Sequence, residues 1–170
     1  MTGPTTVERD RLLLLGVDFF GDPFRKSDEW TEENEIGELW KRFMPFAIER
    51  RNELRLADER GLYEVHLYGE ETPHKGFFEV FVGASVETVE EAPINLVAKV
   101  LPAARYAVFT LNGEEIVSDW DREIFRERLP AAGFKQAAPF GFQYYDARFK
   151  GMDKIAESAL DVYVPIALRG

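Results

Sequence analysis

Twice along this chain a short apolar run, an amphipathic stripe carrying one tryptophan, and two more apolar runs follow one another in the same order. In the first pass the run 12–20 is closed by Gly21-Asp22-Pro23. Ile36, Leu39, Trp40, Phe43 and Met44 then fall at i, i+3, i+4, i+7 and i+8, one face of a helix. Thr31 is the expected N-cap, with Glu32, Glu33 and Glu35 suiting the positive end. Pro45 is expected to end or kink this helix, with a second helical piece over 46–56. Residues 62–68, between Gly61 and Gly69, and 77–82, closed by Gly83, read as strands. In the second pass 97–101 and 106–111 read as strands divided by Pro102. Asn112-Gly113 turns the chain, and Ile116, Val117, Trp120 and Ile124 give the helical stripe, with Pro130 just past its end. The segments 140–145 and 160–166 are the closing strands.

This order predicts an α+β fold of two strand–helix–strand–strand modules, mostly antiparallel. They occupy about 11–90 and 96–168 of one domain, 1–170, and are related by a pseudo-twofold. Two such halves facing each other enclose a central cleft.

Composition narrows what the cleft would hold. The net charge is −10, and no Arg/Lys-rich run offsets it locally; Arg50-Arg51 is short and flanked by Glu49 and Glu53, so direct nucleic-acid binding is not expected. The same acidity disfavours anionic membranes, and the run of leucines at 12–15 is too short to span one. There is no cysteine, which removes disulfides, thiol catalysis and zinc–thiolate sites, and His66 and His74 have no metal-binding spacing. No metal and no cofactor are expected, and the expected location is the cytoplasm.

The stretch 139–149 holds Phe140, Phe142, Tyr144, Tyr145 and Phe149, with a neutral amide, Gln143, among them. Flat apolar walls and one polar group are what a planar guest needs. Gln143 and Tyr145 alternate to one face of the expected strand. Trp40 and Trp120 on the helical stripes would pack in the core or rim the cleft with part of each ring, while Phe43, Tyr106 and Phe109 would divide between core and pocket. Glu79, between Phe78 and Val80 on a strand, is a candidate acid for catalysis, a role another acid of the chain could also fill. Tyr63 and Tyr68 lie on opposite faces of their strand, so at most one of them reaches the cleft.

These motifs resemble the GyrI-like family, the effector-binding domains also attached to AraC-type and MerR-type transcription regulators. The family pattern is an aromatic, Glu, any residue, Tyr, and later an alternating strand ending in a Pro-apolar pair. Phe142, Tyr145, Pro165 and Ile166 fit it. The segments 99–109, 119–134 and, more loosely, 78–83 match further pieces in the family's order, so the resemblance covers nearly the whole chain. It implies a stand-alone domain that binds a planar hydrophobic molecule for sensing or sequestration, with a protein partner or a homodimer as further expectations. It also carries two alternatives: hydrolysis of cyclopropane-bearing toxins, and direct inhibition of a DNA-acting enzyme such as gyrase.

Gln143 stands where the family has Glu, the residue that faces cationic guests from the pocket floor. An amide keeps a donor and an acceptor but no charge. The expectation is therefore a preference for neutral aromatic guests, unless another carboxylate lies within reach of Gln143.

Overall fold

The structure, a computed structural model, describes residues 3–25 and 33–170. Nine strands form a sheet whose pairs are all antiparallel: β1 (Thr5–Arg9), β2 (Leu12–Gly21), β3 (Leu62–Tyr68), β4 (Phe78–Ser85), β5 (Val97–Leu101), β6 (Ala104–Asn112), β7 (Phe134–Gln136), β8 (Phe140–Tyr145) and β9 (Ala159–Leu168). The order across the sheet is β1-β6-β9-β8-β3-β4-β2-β5, with β7 added to the far end of β9. Each half therefore places its first, third and second strands side by side, and the two second strands, β3 and β8, meet at the centre. The mostly antiparallel α+β reading of the sequence holds. The edges are exchanged: β5, placed by sequence at the start of the second module, pairs with β2, and β1 pairs with β6.

Helix α1 (Glu35–Ile48) begins at Asn34, whose side-chain oxygen accepts from the Gly37 N–H at 3.0 Å. Thr31 and Glu32 lie outside the described residues. Pro45 does not end the helix: α1 runs on through Ile48, and the Glu49 and Arg50 N–H groups both reach the Pro45 carbonyl. Pro45 is exposed, so the carbonyl it cannot serve faces water, and Phe46, one residue on, is buried and anchors the last turn. Beyond α1 the chain makes a single 3₁₀ turn, Arg51–Glu53, rather than a second helix. A four-residue turn, α2 (Thr72–Lys75), links β3 to β4.

The helix of the second half is irregular. A 3₁₀ turn Gly113–Val117, entered at Gly113 with φ +57°, leads to α3 (Trp120–Glu123), a π-helical turn Ile124–Arg128, and α4 (Leu129–Ala131). Pro130 sits inside that last turn, not beyond it. Nor does Gly83 close β4, which continues to Ser85; Gly83 is paired directly with Gly16 of β2.

The period of two along each strand sorts the core into layers. Leu15 and Val17 of β2 and Phe78, Val80 and Val82 of β4 pack beneath Leu39, Phe43 and Phe46 of α1. Ala107, Phe109 and Leu111 of β6 and Leu160, Val162 and Val164 of β9 pack beneath Ile116, Trp120, Ile124 and Leu129. The intervening residues, Leu14, Phe81, Tyr106, Val108 and Tyr163, join Tyr63, Val65, Phe140 and Phe142 in a third cluster on the other face of the sheet. Each helix lies over its own half, which leaves the central pair β3–β8 as the floor of a gap between them.

Candidate functional site

That gap is a cleft of about 1290 Å³. Its floor is made by one face of the central strands: Leu62, Glu64, His66 and Tyr68 from β3, and Gln143 and Tyr145 from β8. The register fixes this set, because Glu64 lies directly opposite Gln143 and Leu62 opposite Tyr145. One wall is the flank of α1, with Ile36, Trp40 and Met44 one turn apart; the other is the start of the second helix, with Val117, Ser118, Asp119, Trp120 and Asp121. Phe24, Phe78, Phe149 and Met152 close the ends. Tyr68 is the tyrosine of β3 that reaches the cleft; Tyr63 points into the third core cluster.

Glu64 organises the floor. It is 1% exposed, its Oε1 accepts from Trp40 Nε1 at 2.7 Å, and its Oε2 accepts from His66 Nε2 at 2.8 Å. A carboxylate so far from water needs such donors, since burial without partners is costly. Gln143, 2% exposed, accepts from the Tyr145 hydroxyl at 2.7 Å through Oε1. Burial and, secondarily, the charge of Glu64 push the Tyr145 phenol well above its usual range, so it stays a donor at any working pH. The Tyr145 ring meets Trp40 edge to face at 4.9 Å and Phe149 likewise at 4.9 Å. Three aromatic rings thus stand in line beside the carboxylate and the amide.

The wall formed by α3 adds charge. Asp121 is exposed on one side, but the protein packed on its other side partly strips it of water and raises its carboxyl above the usual range; His66 opposes the effect and Asp119 adds to it. Asp146, also on the cleft lining, is held below its usual value by hydrogen bonds from Arg148. Among the described residues Lys41 is the one lysine of the lining, and it is ion-paired with Glu38 at 3.5 Å. With Glu64, Asp119, Asp121 and Asp146 all present, the cleft is acidic. Among the described residues no three His, Asp or Glu side chains are grouped to hold a metal ion.

Of the residues expected from sequence, Gln143, Tyr145, Trp40 and Trp120 line the cleft. Phe43 does not: it is fully buried beneath α1. Phe109 is sealed under the second helix, and Tyr106 sits on the opposite face of the sheet, both fully buried. Glu79 also points to that opposite face, one residue out of step with Phe78 and Val80, and is ion-paired with Lys99. It lies away from the cleft and has no place in chemistry there. Glu64, His66 and Asp121 were not singled out from sequence. The signal for the first two was their alternation, Leu62-Glu64-His66-Tyr68, on a strand whose other face is apolar.

Residues 5–166 match the family model of Cass2, the integron-associated effector binding protein. The chain belongs to the Cass2 family. The GyrI-like resemblance drawn from its motifs therefore stands, and an effector-binding domain is what the Cass2 match describes. The transcriptional regulator BrlR of Pseudomonas aeruginosa is 30% identical over 165 residues, which are 94% of this chain and 54% of BrlR. The chain thus spans about half the length of that curated relative. Among solved structures, SAV2435 bound to tetraphenylphosphonium superposes with a TM-score of 0.71 at 13% identity, covering 98% of this chain and 94% of that one. The Vibrio cholerae integron cassette protein VCH_CASS2 gives 0.64 at 18% identity, covering 97% and 96%. At these identities both share the Cass2-type fold. No helix among the described residues is long and apolar enough to cross a membrane.

Proposed function

We propose that the cleft binds a hydrophobic aromatic cation, for sensing or sequestration. The observation that carries this reading is Glu64: a carboxylate almost wholly withdrawn from water, at the centre of the floor, beside Gln143 and between aromatic walls. The neutral-guest expectation rested on Gln143 having no other carboxylate within reach. Its premise fails because the neighbouring strand supplies the charge that β8 lacks, one register position across.

The physics favours a cation that is large and poorly hydrated. A small ammonium ion would lose much hydration on entering and regain little from rings. A charge spread over aromatic groups sheds little water, gains the apolar and stacking contacts of Trp40, Tyr145 and Phe149, and meets Glu64 where water does not screen it. Glu64, with Trp40 and His66 already donating to it, is held in place before a guest arrives. The likeness to SAV2435, whose structure holds tetraphenylphosphonium, supports the same ligand class.

The test is calorimetric titration with tetraphenylphosphonium. The wild type should bind saturably, and Glu64→Gln, which keeps an acceptor for Trp40, should weaken binding by about 1.5–3 kcal/mol, the range for a hydrogen-bonded or paired charge. Equal binding by the two proteins would refute the role of Glu64.

A further inference from the structure

The partner of Glu64 Oε2 is a histidine, the side chain whose charge ordinarily changes between about pH 5 and 8. The two side chains are 2.8 Å apart, and those of Glu64 and His66 are 1% and 13% exposed, so their interaction is little screened. With His66 neutral, the pair carries one negative charge. With His66 protonated, the pair carries none, and a cationic guest finds its counter-charge already taken. We infer that His66 is a specificity-determining residue: its protonation sets whether the floor of the cleft selects cations or accepts neutral guests. This rests on the cation reading above.

The surroundings of the imidazole leave this role to it. On its own strand it faces Glu64 and, ring to ring at 6.4 Å, Tyr68. From β4 the neighbour is Phe78, at 5.3 Å and uncharged. From β8 the floor offers Gln143 and Tyr145, neither ionised, and just past its end Asp146 is ion-paired with Arg148. From α1 come Trp40, uncharged, and Lys41, which is paired with Glu38. From the second helix come Asp119 and Asp121. These two aspartates are the acidic groups that this helix brings to the cleft lining beside the imidazole. They do not compete for the Glu64 oxygen, which has His66 as its hydrogen-bonded partner.

Linkage gives the sign. A cation that occupies the cleft disfavours a second positive charge on His66, so binding expels a proton, and acidification expels the guest. A neutral guest has no such coupling.

Two probes and three proteins test this. Tetraphenylphosphonium and the neutral dye N-phenyl-1-naphthylamine are titrated between about pH 5 and 8 into the wild type, His66→Gln and Asp121→Asn. In the wild type, phosphonium affinity should rise about tenfold across that range while the dye stays level. His66→Gln retains a donor for Glu64, and its phosphonium affinity should be flat at the high-pH value. Asp121→Asn should keep the slope. A wild-type profile without slope, or the same slope in His66→Gln, overturns the inference. Unaltered binding in Glu64→Gln would instead overturn the cation reading beneath it. The chain has two histidines, so proton NMR needs no variant. Saturation with phosphonium should move the titration of one imidazole to lower pH and leave that of exposed His74 in place; if neither moves, the inference fails.

Discussion

The two halves of the molecule repeat one strand order yet give the cleft different things. The first half lays a long, regular helix, α1, alongside the gap and so supplies a wall three turns deep, with Ile36, Trp40 and Met44 in line. The second half brings only the start of its helix to the cleft, and beyond Trp120 and Asp121 the π turn packs over its own core. At the seam the difference becomes chemical. Glu64 on β3 holds a charge fixed by two N–H donors; Gln143, opposite on β8, holds an amide fixed by one hydroxyl. In this duplicated fold the seam thus carries its charge on one central strand, β3, and an amide on the other, β8.

The largest effect should come from testing how tightly each half is closed. In the first half Gly16 and Gly83 are register partners, and a Cβ on Gly83 would stand 2.4 Å from the Leu15 carbonyl oxygen. In the second half, a Cβ on Gly141 would meet the Tyr163 carbonyl oxygen at 3.2 Å. Gly83→Ala should cost about 3 kcal/mol or more in urea unfolding, or prevent folding, because backbone must shift. Gly141→Ala should cost about 1 kcal/mol or less, since a few tenths of an ångström suffice and the alanine restricts the unfolded chain. Equal costs would mean the two closures are alike.

Next in size is the charge at the seam. Gln143→Glu alone would set two carboxylates across one register position. One of them is then driven toward its protonated form, so its folded-state value rises above the unfolded one. That fixes the sign: stability is unaffected at low pH and is lost as pH rises through the carboxylate range, by about 1–2 kcal/mol near neutrality. Thermal melting at acid and neutral pH measures it. The gain in cation affinity expected from Gln143 read in isolation, about 1–2 kcal/mol, should shrink to about threefold, because the new charge repels Glu64 as well as attracting the guest. In the exchange variant, Glu64→Gln with Gln143→Glu, affinity should recover partly, since Trp40 and His66 remain tied to β3. Full recovery would mean the halves are interchangeable.

How far the sequence revealed this is clearest strand by strand. Flanking glycines marked β3, and the apolar and aromatic runs marked β8 and β9, within a residue or two, and the aromatic stretch pointed to Gln143 and Tyr145. Trp40 and Trp120 were recognisable because each sits on a 3.6-residue stripe. Those stripes divide, however: Leu39 and Phe43 pack inward while Ile36, Trp40 and Met44 turn to the cleft, and no local pattern tells the two apart. β1 and β7 escaped notice because most of their residues are polar and what makes them strands is pairing with distant β6 and β9. Glu64 was passed over for a related reason. Its strand was recognised from its apolar residues, and a buried carboxylate makes sense only once Trp40, far along the chain, is seen to donate to it.

The smallest effect expected is at the mouth of the second helix. Asp121 adds negative charge to the cleft but is exposed there, with water on one side. Its carboxyl is raised above the usual range by burial, with Asp119 contributing, so the folded protein favours its protonated form more than the unfolded chain does. Stability from this group is therefore present at low pH and lost as pH rises past the ordinary aspartate range. Asp121→Asn mimics the protonated form, so near neutrality it should raise the melting temperature slightly, and the advantage should vanish in acid. Phosphonium affinity should fall by about two- to threefold, the scale of one screened charge several ångströms from the guest. High salt should erase that loss while leaving most of the effect of Glu64→Gln, because the floor is shielded from ions and the mouth is not. A salt-resistant loss at Asp121 as large as that at Glu64 would move the principal anionic anchor from the first half of the molecule to the second.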